Sequence, residues 1–266
     1  MLTSLGEGSR ANPYIVVSGF EPFGGEKVNP AAETALSLDG VALTAGQRVS
    51  EREPVGEGLC VRIRSVIVPV SWNRALQTLL DALEGAAARV APSCLAVVML
   101  GQAGGYAGIG LERVAVNLAE GRDADGVERS AQPIVPPERG GAPAYFSTLP
   151  LRAIQSRIEE AGLPAFISNS AGTYLCNYLF YGLMHYLAAT PGPGETAGAA
   201  ASATAGPMAG FIHVPFLPEQ AVGKKPIPPS MAGSDIRRAV RLALETVAED
   251  ALLRTHPGPG PGPERP

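Results

Sequence analysis

Cys176 lies in the segment Phe166-Ile-Ser-Asn-Ser-Ala-Gly-Thr-Tyr-Leu-Cys-Asn-Tyr-Leu-Phe-Tyr-Gly182, which reads as a buried strand, a tight turn and a helix with a thiol in its first turn. Unpaired N–H groups and the positive end of the macrodipole favour thiolate over thiol there. The bland alternative is a small buried apolar side chain, the usual fate of cysteine. A thiolate nucleophile needs a base, and histidine is the common one. The chain holds 3 histidines. His185 follows Cys176 by nine positions on the same expected helix. That separates them by roughly 13 Å, beyond hydrogen-bond reach. His256 borders a Pro-Gly tail. His213, near the end of the apolar run Gly210-Phe-Ile-His-Val-Pro-Phe216, remains. The acid or amide that would orient its ring is not fixed by spacing; Glu112, Glu219, Glu21, Asn117 and Asn169 are all candidates.

Other motifs suggest less. Gly101-Gln-Ala-Gly-Gly-Tyr-Ala-Gly-Ile-Gly110 follows a strand, but its glycine order is not that of a dinucleotide loop, and a strand follows it rather than a helix. The loose fit at Gly6-Glu-Gly-Ser-Arg-Ala11 precedes the first strand. No Cys or His pair has metal-ligand spacing, so neither metal nor cofactor is expected. The loop Ser18-Gly-Phe-Glu-Pro-Phe-Gly-Gly25 sets Phe20 and Phe23 at a strand end, where they could wall a small apolar pocket.

The elements that must position these residues alternate. Strands are expected at Tyr14–Gly19, Cys60–Val70, Cys94–Leu100, Arg113–Leu118, Phe166–Asn169 and Gly210–Phe216. Helical periodicity marks Trp72–Val90, Leu151–Ala161 and Ser234–Leu252, and Asn29 with Pro30 reads as a helix cap and first turn. This pattern predicts an α/β fold: a single-domain three-layer α/β/α sandwich with a mostly parallel, twisted central sheet over residues 1–254. Such sheets bind ligands beyond the carboxyl ends of their strands. Residues 190–208 read as a flexible loop insertion, and 255–266 as a disordered Pro/Gly-rich tail.

At 266 residues and 45% hydrophobic, the chain can bury a sizeable core. A net charge of −4 offers no basic surface for nucleic acid. No apolar run is long enough to span a membrane, and no secretory signal is read at the start. The 3 cysteines argue against a disulfide framework and for a cytoplasmic location.

Four blocks, in order along the chain, together resemble the pyroglutamyl peptidase I (pyrrolidone-carboxylate peptidase) family of cysteine peptidases. They are Ser18-Gly-Phe-Glu-Pro-Phe-Gly-Gly-Glu-Lys-Val-Asn-Pro30; Gly101-Gln-Ala-Gly-Gly105 with Glu112-Arg-Val-Ala-Val-Asn117; Ser168-Asn-Ser-Ala-Gly-Thr-Tyr-Leu-Cys-Asn177; and Gly210-Phe-Ile-His-Val-Pro-Phe-Leu-Pro-Glu-Gln220. The resemblance implies hydrolysis of the amide after an N-terminal pyroglutamyl residue, with Cys176, His213 and Glu112 as the catalytic triad. It implies substrate contacts from Phe20, Phe23, Asn29, Gln102, Arg122, Tyr174 and Leu175. It further implies pyroglutamylated peptides as partners and a homo-oligomer, often a tetramer. Three features depart from the pattern: Tyr106 stands where arginine is usual, Arg122-Asp-Ala-Asp-Gly126 replaces Arg-Ile-Pro-Asp-Asn, and 190–208 is long. The alternatives are a hydrolase for another small cyclic amide or a binding protein that has lost turnover. A nucleoside phosphorylase-like reading would leave the Cys-His pair unexplained.

Overall fold

All seven residues of β1 (Tyr14–Phe20) are buried, as an unbroken apolar run requires of a strand covered on both faces. In the computed structural model, which describes residues 12–45, 59–83, 93–190 and 206–255, β1 runs parallel to two neighbours, β3 (Leu59–Val68) and β4 (Cys94–Gln102). β11 (Met208–Val214) continues the parallel sheet beside β4. β5 (Ile109–Glu112) pairs antiparallel with β11, and β10 (Ala165–Ser168) lies parallel to β5. At the other edge β2 (Ala42–Ala45) is antiparallel to β3. The order of the seven strands is β10-β5-β11-β4-β1-β3-β2.

The pleat divides the core in two. Ile15 and Val17 of β1 join one apolar cluster with α1 (Pro30–Leu38), α3 (Leu151–Glu160) and α6 (Gly233–Thr255). Tyr14 and Val16 join another with α2 (Ala75–Leu83) and α4 (Leu175–Ala189). The result is the three-layer α/β/α arrangement with a mostly parallel sheet that the alternation of elements predicts. Asn29 caps α1 as expected: its Oδ1 accepts from the Ala31 N–H at 3.0 Å, and Pro30 follows.

Three details differ from the sequence reading. The strand expected at Arg113–Leu118 is shorter and stands apart from β5, which ends at Glu112. Val114–Val116 (β6) leaves the main sheet and pairs with Ala144–Phe146 (β9). The cause is Asn177, whose amide donates to the Val116 and Leu118 carbonyls and accepts from the Val116 N–H, all at 2.9 Å. A side chain on α4 thereby replaces a neighbouring strand. A hairpin of β7 (Ala119–Arg122) and β8 (Glu128–Gln132), not expected from sequence, follows. The helix expected from Trp72 begins at Ala75, and the Trp72 N–H is taken by Asp123 at 2.8 Å. Its expected end, the body of the 190–208 insertion and the 256–266 tail lie outside the described residues. Among the described residues no helix is long and apolar enough to cross a membrane. The remaining helix, α5 (Pro218–Ala221), is a single short turn after β11.

Candidate active site

The pleat that separates the two cores also selects what faces α4. In β11, Ile212 and Val214 belong to the α1/α3/α6 cluster, so Phe211 and His213 project to the α4 side. In β5, Leu111 belongs to that same α1/α3/α6 cluster, so Glu112 also faces α4. Antiparallel pairing sets His213 opposite Gly110 and Phe211 opposite Glu112, one step apart on a shared face. His213 Nδ1 and Glu112 Oε1 are 2.8 Å apart. Glu112 is 0% exposed and His213 5%.

Cys176 reaches the same point from above. It is the second residue of α4, whose cap residue Tyr174 supplies no side-chain acceptor to the first turn. The β4 position beside His213 is Gly101. A Cβ at Gly101 would lie 3.0 Å from the Cys176 sulfur and 2.6 Å from the Phe211 ring. Glycine is what lets the strand pass beneath the thiol. The His213 ring is hydrogen-bonded to Glu112 and is close enough to Cys176 for the sulfur to act on its charge. Burial alone would lower its pKa. The Cys176 sulfur and the Glu112 carboxylate outweigh burial and raise the pKa from 6.5 to about 9.

A small pocket opens beside the sulfur, lined by Phe20, Phe23, Val70, Gln102, Tyr174, Leu175 and Cys176. Its wall is mostly aromatic and aliphatic, with the Gln102 amide as its uncharged polar group. Gln102 Oε1 accepts from Gln220 Nε2 at 2.8 Å. Gln220 in turn donates to Glu26, which pairs with Lys224. Among the described residues no group of three or more His, Cys, Asp or Glu is placed to hold a metal ion.

Residues 14–250 match the pyroglutamyl peptidase family model. The chain belongs to the pyroglutamyl peptidase family. It is accordingly a member of a family of cysteine-type hydrolases. The pyrrolidone-carboxylate peptidase of Pyrococcus furiosus is 38% identical over 244 residues, covering 90% of this chain and 99% of that protein. The enzyme of the same name from Bacillus cereus (strain AH820) is 39% identical over 232 residues, 87% of this chain and 91% of the other. Crystal structures agree with the fold. Pyrrolidone carboxyl peptidase from Pyrococcus furiosus superposes with a TM-score of 0.71 at 37% identity, covering 90% of this chain and 99% of that one. Pyroglutamyl peptidase I from Bacillus amyloliquefaciens gives 0.69 at 32% identity, over 89% and 97%.

Within this family fold, the residues singled out from sequence separate into two groups. Cys176, His213 and Glu112 come together, and Phe20, Phe23, Gln102, Tyr174 and Leu175 line the pocket beside them. Asn29 and Arg122 do not line it. Asn29 is buried, with Oδ1 capping α1 and Nδ2 donating to the Glu21 carbonyl at 3.1 Å. The Arg122 guanidinium is exposed and pairs with Glu128 at 2.8 Å. Arg122 reaches the pocket through its backbone: its carbonyl accepts from the Tyr174 hydroxyl at 2.8 Å. Gly121, at φ 115°, allows this approach, with a Cβ there falling 3.0 Å from the Tyr174 ring.

The altered Arg122–Gly126 segment is braced internally. Asp123 accepts from the Trp72 and Val127 N–H groups, each at 2.8 Å. Sequence reasoning did not single out Val70 or Gln220. Val70 ends an apolar run and looked like core. Gln220 acts only through its spatial neighbour Gln102, so no local pattern marks it.

Proposed function

We propose that this chain is a cysteine exopeptidase that hydrolyses the amide after an N-terminal pyroglutamyl residue and releases free pyroglutamate. The observation that carries the reading is one buried histidine hydrogen-bonded to a buried glutamate and facing a helix-start cysteine, beside a small, largely apolar pocket. Pyroglutamate is a lactam, so the substrate's N-terminus brings no ammonium to be neutralised. A wall of Phe20, Phe23, Val70 and Leu175 suits its ring, and the uncharged Gln102 suits its amide.

In this mechanism the Cys176 thiolate attacks the carbonyl carbon that follows the ring. The unpaired N–H groups of the first turn of α4 receive the oxyanion. The His213 imidazolium, its Nδ1–H held by Glu112, gives its other proton to the departing amine. A thioester remains on Cys176. His213, now neutral, takes a proton from water as that water attacks the thioester. Collapse of the second intermediate frees pyroglutamate and restores the thiolate–imidazolium pair. N-terminally pyroglutamylated peptides are the partners this reading requires. A homo-oligomer, as the family resemblance implies, is a separate part of the proposal, testable by sedimentation.

The test is release of fluorophore from a pyroglutamyl-coumarin amide under reducing conditions, with wild type and Cys176→Ala side by side. Release by wild type and none by the variant is expected. Equal release by clean variant protein would remove Cys176 from the mechanism. No release by either would favour a binding protein or another cyclic amide.

A further inference from the structure

We propose that Tyr106 is a positioning residue of the catalytic group, its hydroxyl pinning the Glu112 carboxylate that holds His213. The inference rests on the Cys176–His213–Glu112 reading above and assigns a role to a side chain outside it.

Glu112 is fully buried, and a buried carboxylate is stable as an anion only when donors surround it. Its Oε1 has two donors, His213 Nδ1 at 2.8 Å and the Tyr106 hydroxyl at 3.3 Å. Its Oε2 has no hydrogen-bond partner among the described residues. Among the described residues, the Tyr106 hydroxyl is therefore the one donor to this carboxylate that is not itself part of the proton-transferring pair. Without it the carboxylate would depend for its orientation on the ring it is supposed to orient.

The tyrosine sits in a slot shaped for it. Its ring packs edge-on against Phe166, with centroids 4.9 Å apart, and against His213 at 5.7 Å. On β5 the facing residue is Gly110, where a Cβ would stand 2.4 Å from the Tyr106 ring. The hydroxyl also lies 3.4 Å from Ser168 Oγ. Ser168 Oγ donates to the Ser170 carbonyl at 3.2 Å, and the charged carboxylate is the stronger acceptor for the tyrosine proton. Burial and the neighbouring Glu112 raise the Tyr106 pKa against the lowering effect of Ser168, so the hydroxyl keeps its proton. A separation of 3.3 Å is long for O–H···O. Such contacts tighten when the reacting complex forms and positive charge is held on the histidine.

Tyr106 does not line the pocket, so its effect should appear in turnover and not in substrate binding. Tyr106→Phe removes only the hydroxyl and keeps the ring packing. The expected result is a kcat lower by about tenfold, the usual scale for one hydrogen bond to a charged group, with KM unchanged. The second readout needs no substrate: the ring titration of His213, followed by NMR on protein labelled at its 3 histidines. With the carboxylate free to turn, the His213 midpoint should fall from about 9 toward 6.5. The third is a double-mutant cycle. On a Glu112→Ala background, Tyr106→Phe should cost nothing more, because the oxygen it donates to is gone.

An unchanged kcat and midpoint in Tyr106→Phe would overturn the proposal, and so would a full tenfold loss persisting on the Glu112→Ala background. A rise in the midpoint would mean that the hydroxyl only screens the carboxylate charge, and would overturn it too. If the wild type releases no pyroglutamate yet the titration moves as expected, the substrate assignment fails and the role of Tyr106 stands. If the wild type is active and the midpoint does not move, the reverse holds.

Discussion

His213 is a charged base held where charge is costly, and the two groups that make this possible also fix when it works. Burial would strip its proton; Cys176 and Glu112 return it and carry the pKa to about 9. The sign follows directly. A histidine whose pKa is raised above 6.5 is protonated below the raised value and loses its proton as pH climbs through it. The leaving amine needs that proton, so kcat/KM should stay high through neutral pH and fall with a midpoint near 9. Glu112→Gln keeps the shape and removes the charge. It should move the alkaline midpoint toward 6.5 and cut kcat by roughly 10- to 100-fold, the cost of about one to two strong charge-assisted interactions. A pH–rate profile of both proteins checks this, and an alkaline limb unmoved by the substitution would remove Glu112 from the pair. At this scale the cysteine and the histidine were legible in sequence, one by its helix-start setting and the other by elimination among 3 histidines. The glutamate was not legible from spacing, because it meets His213 across 101 positions of chain. It became nameable only through resemblance to a family.

Strands and helices convert those residues into a site through the pleat. Phe211 and His213 share the α4 face of β11, and Glu112 joins them because β5 runs antiparallel beside it. That antiparallel step was not readable. The strand alternation of the sequence implied parallel neighbours, and the run Arg113–Leu118 looked continuous because its residue types cannot show that Asn177 replaces a strand along β6. The long periodic helices and the apolar strands were readable, since hydrophobic period reports burial directly. Gly101 is the placement that bears directly on the thiol. Gly101→Ala would put a Cβ 2.6 Å from the Phe211 ring and 3.0 Å from the Cys176 sulfur, in a strand held by β1 on one side and β11 on the other. Something must move, and the Phe211 ring and the Cys176 side chain can give where the β4 backbone cannot. We expect a loss of kcat of at least about tenfold, on the scale of a misplaced nucleophile, with the far-UV CD spectrum retained. Steady-state kinetics and CD on the same preparation check it; an active Gly101→Ala protein would mean that the sulfur has more room than this packing allows.

On the scale of the whole molecule, one sheet serves two cores. Along β1, Ile15 and Val17 face α1, α3 and α6, while Tyr14 and Val16 face α2 and α4, so neither face can melt without stripping the strands of the other. From this we propose that the chain unfolds as one unit, with the site on one face linked in stability to a core on the opposite face. Leu244 of α6 is 0% exposed and lies in the cluster away from Cys176. Leu244→Ala should destabilise the protein by about 2–5 kcal/mol, the range for a large-to-small change in a packed interior. The sole tryptophan, Trp72, is buried in the other cluster, edge-on to Tyr174 and Tyr178 beside the pocket. Its fluorescence therefore reports the site face, and far-UV CD reports the whole. In denaturant titrations of Leu244→Ala both signals should shift by the same amount and keep one midpoint. A fluorescence midpoint that stays at the wild-type value while the CD midpoint falls would mean that the two faces unfold separately, and the single-domain proposal would fail. A shared shift would mean that α6, although none of its residues lines the pocket, sets the temperature and denaturant range over which Cys176 and His213 stay together.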